Sequence, residues 1–207
     1  MKGLLIKDLL TIRNQLKVIV LLIAFYIVYS LTMQDISMLG AMIVLLTVMM
    51  PITAMAYDEK SGWGRYQSAL PISKKMVVFS KYVFGVILLA LGSLMSGLSI
   101  LLLSIFSQFV EITDALWLLA TFAAMGIVFM SLVFPIIFKF GVEKGRMLML
   151  LVIFLPVMLI MLLSRMQIPM PDLETLTSYA YMVPVGLLAL LGGSMALSIW
   201  IYERKEF

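Results

Sequence analysis

Six long apolar runs, with no charged residue in their interior, dominate this sequence. They cover approximately residues 17–33, 38–57, 82–106, 115–138, 147–164 and 179–202. A helix needs about 20 apolar residues to cross a hydrocarbon core roughly 30 Å thick. A Lys, Arg or Asp at the centre of such a helix costs about 2.5–3.5 kcal/mol, which explains why the charges lie between the runs. We therefore predict an all-α polytopic membrane protein, with six transmembrane helices in a single transmembrane domain over residues 1–207.

The cations are distributed very unevenly between the two ends of the predicted spans. Fourteen of the fifteen Lys and Arg residues fall on the side of the two termini, and only Arg165 falls on the other side. Cytoplasmic loops carry the excess of Lys and Arg, so we expect both termini in the cytoplasm. The net charge of +4 then reflects topology and attraction to anionic lipid. No basic stripe interleaved with aromatic residues indicates nucleic-acid binding.

The residue inventory excludes several kinds of chemistry. The chain has no Cys and no His, so disulfides, thiolates, imidazole metal ligands and a histidine base are all excluded. No ionisable residue lies deep in a predicted span, which argues against an ion-coupled carrier and against an intramembrane enzyme. No Gly-x-x-x-x-Gly-Lys-Ser/Thr occurs in the sequence. We expect neither a metal site nor catalysis by this chain, and any ATP that drives it must bind another chain.

The N-terminal residues 1–15 have helical periodicity before the first apolar run. Leu5, Leu9, Ile12 and Leu16 recur at helical spacing, with polar residues between them. This pattern predicts an amphipathic helix that lies along the inner membrane interface before the chain turns into the first span. The alternative is a plain membrane anchor without a partner.

The longest polar segment, residues 58–80, separates the second and third spans. Trp63, Tyr66 and Leu70 fall at helical spacing, and Ser73 can cap the next helix. Aromatic residues beside Arg and carboxylates are typical of a docking surface. The alternative is an amphipathic turn resting on lipid, with Trp63 and Tyr66 as interfacial anchors.

Several short motifs together resemble a known family. They are Lys-Gly-Leu-Leu-x-Lys-Asp-Leu at residues 2–9, Asp-Glu-Lys…Trp-x-Arg-Tyr…Leu-Pro-Ile-Ser-Lys-Lys at 58–75, and Ser-Lys-Tyr at 80–82. In this order, around two spans, they resemble permease subunits of type-2 ABC exporters, especially small bacterial permeases that export sodium or phenol-soluble modulins. The segment 165–178 is short for the outer re-entrant helices that many members carry, so the resemblance does not give the form of the extracellular gate.

The resemblance implies a bacterial cytoplasmic membrane, a dimer with a second permease copy, and two ABC ATPase subunits that bind ATP and Mg²⁺. It also implies that the segment 58–80 is the coupling element that docks on the ATPase. The expected ATPase contacts are Asp58, Glu59, Lys60, Trp63, Arg65 and Tyr66.

Methionines cluster in and around the second and fifth spans. Flexible thioethers can repack around varied apolar ligands, and a proline within a span removes a backbone donor and can act as a hinge. The expected path and hinge residues are Met42, Met49, Met50, Pro51, Pro156 and Met158. The alternative is that these methionines face lipid and have no role in transport.

For the substrate we expect small amphipathic or antimicrobial peptides. The same mechanism with sodium, a drug or a lipid is the alternative, as is a membrane immunity or regulatory protein that transports nothing.

Overall fold

A computed structural model describes residues 1–33, 37–107, 112–166 and 182–205. Within these ranges the chain is helical and contains no strand, which confirms the predicted all-α fold. The helices are α1 (Lys2–Met33), α2 (Ser37–Lys60), α3 (Trp63–Ser68), α4 (Lys74–Ser107), α5 (Ile112–Phe140), α6 (Val142–Arg165) and α7 (Val183–Glu203).

The long helices coincide with the predicted spans. The first five spans lie wholly within α1, α2, α4, α5 and α6, and the described part of the sixth lies within α7. By length and composition, α1, α2, α4, α5 and α7 can each cross a membrane. The chain is therefore a multi-pass membrane protein, while the crossing by α6 stays a prediction. Most of the segment 165–178 lies outside the described residues.

The N-terminal region differs from the prediction. Residues 1–15 do not form a separate helix followed by a turn, because α1 continues without a break for 32 residues. Nothing in residues 4–33 breaks a helix, since this stretch contains neither Gly nor Pro. At 1.5 Å per residue α1 is about 48 Å long. This exceeds a hydrocarbon core of roughly 30 Å, so part of α1 must lie outside the core.

The buried face of α1 also differs from the predicted apolar stripe. Leu4, Asp8 and Ile12 are buried, one helical turn apart on one face. Leu9 and Leu16, which belong to the predicted apolar stripe, are not packed against the bundle. The N-terminal half of α1 therefore packs on the bundle through a face that includes a carboxylate.

Small residues allow the central helices to approach one another closely. An added Cβ on Gly92 of α4 would overlap the side chain of Thr47 in α2. One turn further along α4, the hydroxyl of Ser96 would lie 3.1 Å from a Cβ on Gly40 of α2. The small residues of α4 therefore permit close packing of α2 and α4.

One end of the bundle collects most of the described charged side chains, and we call it the charged end. The N-terminal ends of α1, α4 and α6 meet there with the C-terminal ends of α2, α5 and α7. The contacts that join these ends are Lys7–Asp58, Lys81–Asp8, Glu59–Val142, Lys74–Glu203 and Lys205–Phe138. That this end faces the cytoplasm remains a prediction from the distribution of cations.

Candidate functional site

The segment predicted to couple to an ATPase lies at the charged end and is more helical than expected. Helix α2 continues through residues 58 and 59 to Lys60, and after a turn α3 begins at Trp63. Gly62 forms this turn with φ of 69°, a left-handed conformation that glycine adopts without strain. The Ser73 hydroxyl accepts a hydrogen bond of 3.3 Å from the backbone N–H of Met76, which confirms the predicted helix cap.

The inner side of α3 rests on two other helices. The ammonium of Lys7 in α1 lies 4.6 Å from the centroid of the Trp63 ring, within reach of a cation–π interaction. Gln67 is buried, and its side chain is hydrogen-bonded to Tyr202 of α7. These contacts hold a helix of six residues that is too short to be stable alone.

Beside α3, two lysines and two aspartates form a neutral cluster that we call the ion cluster: Lys7, Asp8, Asp58 and Lys81. Lys81 Nζ lies 2.7 Å from Asp8 Oδ1 and 2.6 Å from Asp58 Oδ2. Lys7 Nζ lies 2.5 Å from Asp58 Oδ1 and 3.0 Å from Asp8 Oδ1. Asp8 is 1% exposed and Lys81 is 5% exposed. Burial of these charges is tolerated only because each has opposite charges within bonding distance.

Glu59, the other carboxylate at the end of α2, binds the start of α6. Its Oε2 accepts a hydrogen bond of 2.6 Å from the backbone N–H of Val142, the first residue of that helix. A carboxylate at a helix N-terminus satisfies an unpaired donor and interacts favourably with the helix dipole. Gly141 allows the close approach, because it has φ of 81° and no side chain to displace the carboxylate.

The six predicted ATPase contacts therefore fall into two groups. Asp58, Glu59 and Trp63 have partners within the chain, in the ion cluster, at α6 and on Lys7. Lys60, Arg65 and Tyr66 are exposed; Tyr66 retains 62% of its accessible surface, although its ring centroid lies 5.4 Å from that of Trp63. We call Arg65 and Tyr66 the outer face of α3, and Lys60 at the end of α2 lies beside it.

A cavity of about 330 Å³ lies beneath α3. Trp63 and Gln67 line it on the side of α3, and Ile137, Phe138 and Val142 line it from α5 and α6. The short helix is thus tied to α1 and α7 but is separated by open space from the junction of α5 and α6.

The predicted path and hinge residues lie on two helices, α2 and α6. Met50 and Pro51 are buried, and Met50 packs in a cluster with Ile12 and Phe84. Met42 and Met49 are half-buried in α2, whereas Met158 of α6 is 70% exposed. Pro156 lies within the bounds of α6, but its side chain is outside the described part of the structure.

Sequence reasoning missed three members of the ion cluster: Lys7, Asp8 and Lys81. Apart from the neighbours Lys7 and Asp8, the paired residues are 23 to 73 positions apart, so only the packing of α1, α2 and α4 brings them together. A local signal did exist, because Asp8 lies one helical turn from both Leu4 and Ile12 on what proves to be the buried face.

Residues 3–203 match the model of a family described as ABC-2 family transporter protein. The match includes nearly the whole chain and, of the seven helices in its described part, everything except the first residue of α1. No curated protein and no solved structure matches the chain.

Proposed function

Since this chain belongs to the ABC-2 transporter family, we propose that it is the permease subunit of an ATP-driven exporter in the bacterial cytoplasmic membrane. Membership makes the chain a membrane component of an ABC transporter and implies an ATPase partner. We extend this to an assembly of two permease copies and two ATPase subunits, with the charged end facing the cytoplasm.

The observation that carries the proposal is the arrangement of α3. Its inner side is tied to α1 and α7, while Arg65, at the edge of the cavity, and Tyr66 are exposed beside Lys60. Aromatic and Arg side chains are enriched at protein interfaces and supply most of their binding free energy. The outer face of α3 has this composition at the end where an ATPase would bind. We therefore assign α3 as the coupling helix.

The ion cluster supports a route by which movement of α3 reaches the transmembrane helices. Trp63 contacts Lys7, and Lys7 is paired with Asp58. Asp58 and Asp8 are both bonded to Lys81 of α4. A displacement of α3 toward the cavity beneath it would therefore pull on α1, α2 and α4 together.

The substrate class we propose is small amphipathic peptides. Met158 and Met147 are largely exposed on α6, at 70% and 75%, and Met42 and Met49 are half-buried on α2. Methionine side chains adapt to ligands of varied shape. A second permease copy packed against α6 would place Met158 on a surface shared by the two copies.

Reconstitution of the permease with a candidate ATPase in proteoliposomes tests this function. We expect ATP hydrolysis to be stimulated by cationic amphipathic peptides, and we expect none from the permease alone because it lacks a phosphate-binding loop. Stimulation by sodium ions but not by peptides would contradict the substrate class. Tight binding of a toxin peptide without any ATPase association would contradict the exporter and indicate an immunity protein.

A further inference from the structure

A second feature of the charged end is a groove between α5 and α7 with a volume of about 550 Å³. Its walls are apolar and include Ile136, Leu197 and Ile201. Lys139, Arg204 and Lys205 line it as well, and none of the described residues that line the groove is acidic. The groove therefore combines an apolar wall with a mouth lined by three cations.

Backbone carbonyl groups at the ends of these two helices are already bound by two lysines, Lys205 of the mouth itself and Lys74 of α4. Lys205 Nζ donates to the carbonyl of Phe138 at 3.4 Å. Lys74 Nζ donates to the carbonyls of Glu203 and Lys205 at 3.0 and 2.7 Å. The negative ends of the helix dipoles are thus compensated from within the chain. Lys139 and Arg204 have no carboxylate partner among the residues that the structure describes.

Two aromatic rings hold these two cations in place. The Arg204 guanidinium lies 3.8 Å from the centroid of the Trp200 ring, and Lys139 Nζ lies 5.1 Å from that of Phe140. A guanidinium stacked on a ring keeps its planar set of N–H donors available for a phosphate. Trp is also favoured at the level of lipid headgroups.

We propose that this groove binds an anionic phospholipid from the membrane leaflet at the charged end. The phosphate binds Arg204 and Lys139, and an acyl chain lies along Ile136, Leu197 and Ile201. Leu197 lies two helical turns, about 10 Å, from Arg204, so the apolar wall runs from the mouth into the hydrocarbon region. A soluble phosphate would satisfy the cations but would leave this wall in contact with water, which is why we assign the lipid.

Native mass spectrometry of the purified permease, released from micelles that contain equal amounts of phosphatidylglycerol and phosphatidylcholine, tests the site. We expect selective retention of phosphatidylglycerol by the wild type. The double variant Lys139→Gln/Arg204→Gln should reduce this retention by about tenfold or more, because each cation near the surface contributes to anionic-lipid attraction. The matched control is Lys144→Gln/Arg146→Gln, which removes two exposed cations at the same end that do not line the groove, and it should retain the lipid.

Arg204→Lys provides a milder variant that keeps the charge, and it should still lower retention because the planar donor set is lost. Equal loss of phosphatidylglycerol in the groove and control variants would show diffuse attraction and overturn the site. Full retention by the groove variant would do the same. Displacement of the lipid by millimolar inorganic phosphate would assign the cations to a soluble anion and contradict the lipid.

Discussion

Lys81 Nζ lies 2.7 Å from Asp8 Oδ1, and both side chains are almost completely buried. The two residues are 73 positions apart, so the pair ties the N-terminal part of α1 to the start of α4. A buried charge that loses its partner keeps the full penalty of desolvation. This pair should therefore contribute more to stability than an exposed pair of the same residue types.

Lys81→Gln is expected to lower the free energy of unfolding by about 3 kcal/mol, because it leaves two carboxylates of the ion cluster with Lys7 alone. In a double-mutant cycle with Asp8→Asn, the stability lost by the double variant should differ from the sum of the two single losses by about 1–3 kcal/mol. The measurement is the free energy of unfolding in mixed micelles. The matched control is the exposed pair Lys75–Glu203 at 3.7 Å, where we expect a coupling of about 0–1 kcal/mol. Equal coupling in the two cycles would refute a special role for the buried pair.

Glu59→Ala is expected to lower the stability of the protein by about 1 kcal/mol, since the first N–H of α6 loses its acceptor. Glu59→Gln keeps a side-chain oxygen and should have a smaller effect. Unfolding of both variants in the same micelles measures the difference. If the two substitutions have equal effects, the hydrogen bond to Val142 does not stabilise α6.

Gly141→Ala should destabilise the protein more than Gly62→Ala does. Both glycines have positive φ, of 81° and 69°, so each substitution strains the backbone by about 1 kcal/mol. Only at Gly141 would the new Cβ also displace the Glu59 carboxylate, which it would approach to 2.6 Å, whereas Gly62 has open space around it. Comparison of the two unfolding free energies isolates the contact with Glu59. A larger effect at Gly62 would contradict this geometry.

Gly92→Ala is expected to lower the stability by about 1–3 kcal/mol, because the added methyl overlaps Thr47 where α2 and α4 pack. Gly192 in α7 is the control, since no atom lies within 4 Å of a Cβ placed there. Gly192→Ala should be neutral or stabilising by up to about 1 kcal/mol, the difference in helix propensity. Similar losses from both substitutions would show that α2 and α4 do not pack as closely as described.

The sequence predicted much of the helical scaffold because an apolar run of sufficient length leaves the chain few alternatives in a membrane. The runs at 38–57 and 115–138, for example, lie within α2 and α5. The end of α2 was harder to predict, since Asp58 and Glu59 look like loop residues by polarity. They remain helical because neither Gly nor Pro occurs between Pro51 and Gly62.

The roles of the charged residues could not be predicted from local pattern. Asp58 has the polarity of a docking residue, but its partners Lys7 and Lys81 lie on two other helices. Reversal of Asp58 to Lys would bring a third cation to these two lysines and destabilise the chain. That variant therefore cannot distinguish an ATPase contact from an internal ion pair. Helical spacing predicted that Trp63 and Tyr66 share one side of α3, and their ring centroids lie 5.4 Å apart. It could not show that Trp63 contacts Lys7 while Tyr66 is exposed.

Labelling of single cysteines introduced into this cysteine-free chain tests the predicted topology. Ser61→Cys lies at the charged end and Thr113→Cys near the opposite end of α5, and both positions are exposed. In intact cells, a membrane-impermeant maleimide should react with position 113 and should reach position 61 only after permeabilisation. Reaction at position 61 in intact cells would place the charged end outside and would exclude an ATPase partner in the cytoplasm at that end.

The most direct test of the central claim is the affinity of the ATPase for the permease in lipid nanodiscs, measured for wild type and Tyr66→Ala. Tyr66 has an exposed ring and no role in the ion cluster, so its truncation should leave the fold intact. If the outer face of α3 binds the ATPase, Kd should rise at least about tenfold, as expected for loss of an aromatic hot spot. Trp117→Ala, which removes a ring that is 63% exposed toward the opposite end of the bundle, should leave Kd unchanged. An unchanged Kd for Tyr66→Ala, and for Arg65→Ala beside it, would contradict the assignment of α3 as the coupling helix.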